Sequence, residues 1–369
     1  MIKKIPKYLV FLLCFSLSKA VLVTNRTVAT ISVGYNPTGS AITPDGKFIY
    51  VANNNNNSIA GGDNVSVINT LTNNVVTTIN DASFNEAYTV TINAAGTRAY
   101  VTNSNGSTVT IINTTNNQVL GTITGFDGPS GFAISPTDPS VAYVNNYGGP
   151  IAGSGNGTTV SVVNLNSNSI SATITVDQAP AALAVTPNGE YLYVINYVDG
   201  NTGTGTVNVI KTSNNTRIKT INGFSGPFGI AITPDGSRAY VTNFGSNNFS
   251  PVGQTVSVID LVNNSVIATV KVGVQPAGIA ITPDGKLAYV TNYYTLYLGP
   301  GFTNLTPFTG TVNIIDVATN KVLCPVLVVG SSPGNISISP DGKRAYVSNY
   351  SSDNVTVLNI VDKMWLSIC

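Results

Sequence analysis

Histidine is absent from this 369-residue chain, tryptophan occurs once and cysteine three times. Without imidazole there is no general base for a serine or cysteine triad, no His-ligated zinc, and no histidine-held haem or copper. Charge is scarce as well. Asp, Glu, Lys and Arg together supply 9% of the residues, and Asn, Thr, Ser and Gly take their place. A surface built from neutral amides and hydroxyls suits a protein working outside the cytoplasm. Scattered lysines without a basic stripe give no electrostatic footprint for nucleic acid, so no such partner is expected. No stretch shows helical periodicity, and no glycine-rich phosphate loop opens a helix.

What the sequence has instead is repetition. Gly278-Ile-Ala-Ile-Thr-Pro-Asp-Gly-Lys-Leu-Ala-Tyr-Val-Thr-Asn292 is one of about seven copies of a unit, whose tyrosine recurs as Tyr50, Tyr100, Tyr143, Tyr193, Tyr240, Tyr289 and Tyr346. The intervals run from 43 to 57 residues, near the period of a four-stranded propeller blade. Within a copy, Gly229–Thr233 reads as a strand and Thr233-Pro-Asp-Gly236 as a tight turn, with proline fixing φ and glycine taking the left-handed conformation. Arg238–Asn243 then returns, with Asn243 expected to bond the backbone that turns away. Thr255–Asp260 and Ser265–Val270 complete the sheet. One such sheet cannot bury both faces, whereas a closed ring can. The expectation is all-β: a single seven-bladed propeller over residues 21–369. Turns at Asn93–Gly96, Pro136–Pro139 and Pro187–Gly189 depart from the pattern and are expected to differ in shape.

The Tyr-Val-Thr-Asn runs at 100–103, 240–243 and 289–292 resemble the YVTN-family β-propeller repeat, and the likeness extends over everything after about residue 21. The resemblance implies a propeller of exported bacterial or archaeal type, some relatives being surface-layer components. It does not imply one shared reaction.

The chain ends carry further information. Thr27–Val33 matches the outermost strand of other units, and Asn354–Ile360 matches a third strand, so the N-terminal strand is expected to complete the last blade. The alternative is that Met364–Ile368 fills that place. Residues 1–20 combine a basic start, the apolar run Tyr8–Leu17 and small residues at Ser18 and Ala20, which reads as a secretory signal. The mature protein is then periplasmic, secreted or on the cell surface, without a membrane span. Lys3, Lys4, Lys7 and Lys19 fall in this leader, and losing them turns a formal net charge of +1 into −3. Two cysteines remain, Cys324 and Cys369. In an oxidising compartment they are a disulfide candidate, against a half-buried Cys324 with a free terminal thiol.

Function must lie in what the copies do not share. Asp45, Asp235, Asp284 and Asp341 sit in Pro-Asp-Gly turns, which explain them without catalysis. Glu86, Asp127 and Asp177 fall instead in the linkers entering innermost strands. Three such acids from adjacent blades suit a hard cation, as in lactonase-type propellers, or else stand as solvated loop acids. Aromatics directly follow the repeated asparagine at Tyr147, Tyr197, Phe244, Tyr293 and Tyr350. The insertion 293–308 is the longest and most aromatic, with Tyr293, Tyr294, Tyr297, Phe302 and Phe308. A ligand wall is one reading of it; a lid folded on itself is the other. The expectation is a monomeric, non-catalytic binding or scaffolding module. Its ligand is a protein or glycan, it carries no cofactor or resident metal, and the ligand residues are those five aromatics with Glu86, Asp127 and Asp177. A metal-dependent lactonase-like hydrolase and a structural cell-surface component are the alternatives.

Overall fold

The Thr-Pro-Asp-Gly turn is the local device from which everything else is built. Thr43 donates its hydroxyl to Asp45 Oδ1 at 2.6 Å, Gly46 N–H returns to the Thr43 carbonyl at 2.8 Å, and Asp45 Oδ1 also accepts Lys47 N–H at 3.1 Å. Gly46 stands at φ +74°, where a side chain is disfavoured. The same hydroxyl–carboxylate bond recurs at Thr233–Asp235, Thr282–Asp284 and Ser339–Asp341. Two of the three departing copies keep this shape. Asn188 takes the aspartate's part, and Gly96 still bonds the Asn93 carbonyl at 2.8 Å. The expected difference appears only where glycine is missing: in 136–139 the turn closes through Val141 N–H on the Asp138 carbonyl.

The computed structural model describes residues 27–55, 62–149, 155–197, 204–245, 252–294, 309–361 and 367–368. Each turn joins the two inner strands of an antiparallel sheet, and seven such sheets follow one another along the chain. Blade five shows the order from axis to rim: Pro227–Ile232, Arg238–Gly245, Val252–Asp260 and Ser265–Lys271. The innermost strands stand side by side around a central axis, each touching the next, with Pro37–Ile42 meeting both Ala87–Ile92 and Pro333–Ile338. The ring is therefore closed. It is a seven-bladed β-propeller, and among the described residues it contains no α-helix.

The seventh blade is completed by the N-terminal strand. Thr27–Ser32 runs antiparallel to Asn354–Asn359, from Thr27 opposite Leu358 to Ser32 opposite Asn354. The competing assignment of the tail fails on location. Ser367–Ile368 adds instead to the rim of blade six, with Leu323 opposite Ile368 and Cys324 opposite Ser367, and makes that sheet five-stranded. Cys324 is disulfide-bonded. Cys369 lies outside the described residues, as does the whole leader.

Blades are held to one another by apolar packing and by the repeated tyrosine. Tyr240, Val256 and Val258 of blade five share one cluster with Ala288, Val290 and Ile315 of blade six. Tyr240 is fully buried, and its hydroxyl crosses to blade six, where it meets Asn320 Oδ1 at 2.7 Å and the Val317 carbonyl at 3.2 Å. Tyr50 makes the same reach to Asn117 and Thr114 in blade two, and Tyr193 to Asn264 in blade five. The receiving asparagines all occupy a left-handed turn residue, with φ between +51° and +59°, so one residue closes a hairpin and latches the neighbouring blade.

The repeated asparagine has a different task from the one expected of it. Asn243 Nδ2 does not bond the departing backbone; it donates to Thr255 Oγ1 and Ser257 Oγ, both at 2.9 Å, on the adjacent third strand. The register puts Asn243 opposite Thr255, which places the amide between two inward-facing hydroxyls. The equivalent pair of bonds exists in all seven blades, from Asn53 to Asn349.

Small residues let the innermost strands approach. A Cβ on Gly229 would lie 2.4 Å from the Ala277 carbonyl oxygen, whereas one on Gly334 would meet nothing within 4 Å. Gly229→Ala is therefore expected to cost roughly 1–3 kcal/mol in denaturant unfolding. Gly334→Ala should leave the midpoint nearly unchanged, and equal midpoints for the two variants would contradict the close approach.

Candidate functional site: the channel mouth

The linker entering each innermost strand is pinned to the loop leaving the second. Its last residue adopts positive φ in every blade: Asn36, Glu86, Gly128, Ala179, Gly226, Gln275 and Ser332, from +48° to +58°. Five of these are not glycine, so strain on the order of 1 kcal/mol each is held by the surrounding bonds. In six blades the residue just after the repeated asparagine donates its N–H to that linker carbonyl. Tyr147 reaches Gly128, Tyr197 reaches Ala179, Phe244 reaches Gly226 and Tyr350 reaches Ser332, at 2.8–3.0 Å. This contact fixes the aromatic collar at one end of the ring.

Collar residues pack from blade to blade. Tyr147, Tyr197 and Ala179 form one buried cluster with Phe228 and Phe244 against it, and the Tyr197 hydroxyl donates to the Gly245 carbonyl at 2.9 Å. Phe244 lies 5.4 Å from Phe228 and 6.0 Å from Tyr293, ring centre to ring centre, and Tyr293 meets Tyr294 edge-on at 5.0 Å. Inside the collar is a cavity of about 410 Å³ on the axis, walled by Tyr88, Phe228, Phe244, Tyr293 and Tyr350, with Glu86, Asn54, Thr38 and Asn335 among its polar edges. That volume falls in the range of small-molecule sites.

The residues singled out from the sequence separate into three groups. Tyr293 and Glu86 line the cavity, and Tyr294 packs on Tyr293. Tyr297, Phe302 and Phe308 lie outside the described residues. Asp127 and Asp177 do not line the cavity. Asp127 is exposed, and Asp177 is bound within its own blade: Thr206 Oγ1 donates to it at 2.7 Å, Asn208 Nδ2 at 2.9 Å and Arg217 Nη1 at 2.7 Å. Partial burial pushes the Asp177 carboxyl up, but those hydrogen bonds and the guanidinium outweigh it and hold the group below the usual carboxylate range. The three linker acids thus do not converge, and no trio of acidic or cysteine side chains suited to a cation occurs among the described residues. The Pro-Asp-Gly acids are occupied as turn residues; the Thr43 hydroxyl is the main influence holding Asp45 below its ordinary value.

Sequence reasoning missed Tyr88 and Phe228. Both directly follow the innermost-strand residue that pairs with the repeated asparagine, where the other blades carry Thr38, Ser130, Ala181, Ala277 and Gly334. Two rings in a column of small residues were the available signal. It also missed Asp63, whose buried carboxylate accepts backbone N–H groups of Asn55 and of the Glu86 linker and so ties the first loop to the site.

Burial pushes the Tyr88 phenol well above its ordinary value, with the phenols of Tyr147, Tyr293 and Tyr350 nearby adding to the effect. Burial likewise pushes Tyr293 up to about 12 and Tyr50 up to about 12. An unfolded phenol releases its proton near pH ~10, so above that pH the folded chain holds protons that the unfolded chain has lost. Stability is then complete below about pH 10 and falls as pH rises towards about 12. Alkaline titration followed by tyrosinate absorbance should show a late, cooperative group of tyrosines that coincides with unfolding. Smooth ionisation of all tyrosines near the free value would contradict this.

No protein-family model matches the chain. A 60-residue stretch, 16% of this chain and 13% of the other, is 47% identical to the PE-PGRS family protein PE_PGRS18 of Mycobacterium tuberculosis. The chain thus spans only a small part of that curated relative. Among solved structures, hydrazine synthase of Kuenenia stuttgartiensis matches with a TM-score of 0.73 over 92% of this chain and 99% of that one, at 21% identity. A likeness at that identity shows the fold alone: this chain is a seven-bladed β-propeller.

Proposed function

We propose that the chain is an exported, monomeric β-propeller of the YVTN-repeat kind. It acts as a non-catalytic binding module whose ligand sits at the channel mouth. One observation carries this reading. Two of the rings around the 410 Å³ cavity, Tyr88 and Phe228, come from a position that is small in the other five blades, and variation on a repeated frame is where recognition is placed. Exposed aromatic faces offer large contact area at low entropic cost, suited to a sugar ring or to an apolar anchor of a partner protein. Among the described residues no helix is long and apolar enough to cross a membrane.

The test is a screen of glycans and extracytoplasmic proteins, repeated with Tyr88→Ala and Tyr293→Ala. Each variant is expected to weaken whatever binds by about tenfold or more, with little change in melting. A ligand mapped to the Pro-Asp-Gly face would overturn the location. A structural surface component would instead give no ligand and assemble with itself.

We further infer that the disulfide at Cys324 is closed by Cys369, because the tail strand already runs beside Cys324. By loop entropy such a bridge contributes roughly 4 kcal/mol before strain. Denatured, unreduced mature protein should show no free thiol; two would refute the pairing.

A further inference from the structure

The cavity at the channel mouth has an uneven chemistry. Its wall carries one carboxylate, Glu86, and the rings of Tyr88, Phe228, Phe244, Tyr293 and Tyr350, and no lysine or arginine among the described residues. The rings come from blades two, five, six and seven, so they face the axis from several sides rather than from one wall. Tyr88 lies within electrostatic reach of the phenols of Tyr293 and Tyr350, and Tyr350 within reach of Glu86. Phe244 bridges the gap between Phe228 and Tyr293 at ring distances of 5.4 and 6.0 Å.

Aromatic faces carry negative quadrupole density and attract a cation placed within about 6 Å of the ring centre, most strongly where water is excluded. An anionic or strongly hydrated ligand would gain nothing from such walls and would meet the Glu86 charge. A carboxylate set among rings favours a bulky, weakly hydrated cation over a neutral molecule of the same shape. Glu86 is held in place for this. Its backbone stands at φ +54°, its carbonyl accepts Ser104 N–H, and Ser104 Oγ donates to Glu86 Oε2 at 3.0 Å.

From this arrangement we propose that the channel mouth binds a small organic ammonium ion, with Glu86 as the counter-charge and Tyr88, Tyr293 and Tyr350 as the ring walls. The proposal rests on the channel mouth being the ligand site. The test is calorimetric titration of the whole mature protein with choline and with neopentyl carbinol, its uncharged carbon isostere. Choline is expected to bind roughly tenfold or more tightly than the isostere. Glu86→Gln should remove most of that preference. Tyr88→Leu should weaken choline by a similar factor while Tyr88→Phe, which keeps the ring face, retains it. Equal binding of choline and isostere overturns the proposal. So does choline binding that survives both Glu86→Gln and Tyr88→Leu, which would also put it at another surface. Absence of choline binding, with a screened ligand still lost in Tyr88→Leu, overturns the ammonium ligand and leaves the channel mouth as the binding site.

Discussion

Removing residues 21–33 is expected to lower the melting temperature on the order of 10 °C or to prevent cooperative folding. The deletion takes away the rim strand of blade seven, together with its ladder from Thr27–Leu358 to Ser32–Asn354. It also uncovers the cluster in which Ile31 packs with Val355, Val357 and Tyr346 and with Ile49 and Val51 of blade one. Burying one such side chain is worth roughly 1.5–3 kcal/mol, and several kcal/mol translate into shifts of this size in a chain of this length. The bare edge of Asn354–Asn359 would in addition invite association. Calorimetry of the deleted chain decides the matter. A melt superimposable on that of the intact protein would mean that closure adds nothing.

Tyr240→Ala is expected to destabilise by about 3–5 kcal/mol, the cost of emptying a large, fully buried site. Tyr240→Phe isolates the latch from the packing. It leaves the ring in place but strips the donor from Asn320 Oδ1, while the Val317 carbonyl keeps Arg238 Nη1 at 2.7 Å, and about 1–2 kcal/mol should be lost. Chemical denaturation of both variants gives the comparison. Equal losses would show that the hydroxyl carries the whole effect and the ring none. Loss only in the alanine variant would reduce the tyrosine to a filler of space.

The ring was legible from the sequence because its causes are local and written many times. Thr233-Pro-Asp-Gly236 names its own turn, and Arg238–Asn243 names the strand that follows. Even closure could be read, since Thr27–Val33 has the pattern of a rim strand and Asn354–Ile360 that of the third strand it would flank. The role of Asn243 was not legible. Its partners, Thr255 and Ser257, are set by cross-strand register, and a side chain placed between two strands looks in sequence like a side chain ending one. The site was only half legible for a related reason. Glu86 and Tyr293 stand in unshared segments, where function was sought. Asp127 and Asp177 stand in such segments too, but Asp177 is bound by Arg217, Thr206 and Asn208 from the same blade. Tyr88 and Phe228 were overlooked because they sit inside the repeat, at a position whose meaning appears only when seven innermost strands are set around one axis.

Joining the first strand to the last blade also decides when this molecule can fold. Thr27 and Leu358 are partners across more than 300 residues, so a polypeptide made N-terminus first must hold Thr27–Ser32 unpaired until Asn354–Asn359 has emerged. Early blades can form their hairpins but not the ring, and the large entropic cost of bringing the ends together is met in a single late step. The ring thus stays open, and its blades threadable, until residues 354–359 have been delivered.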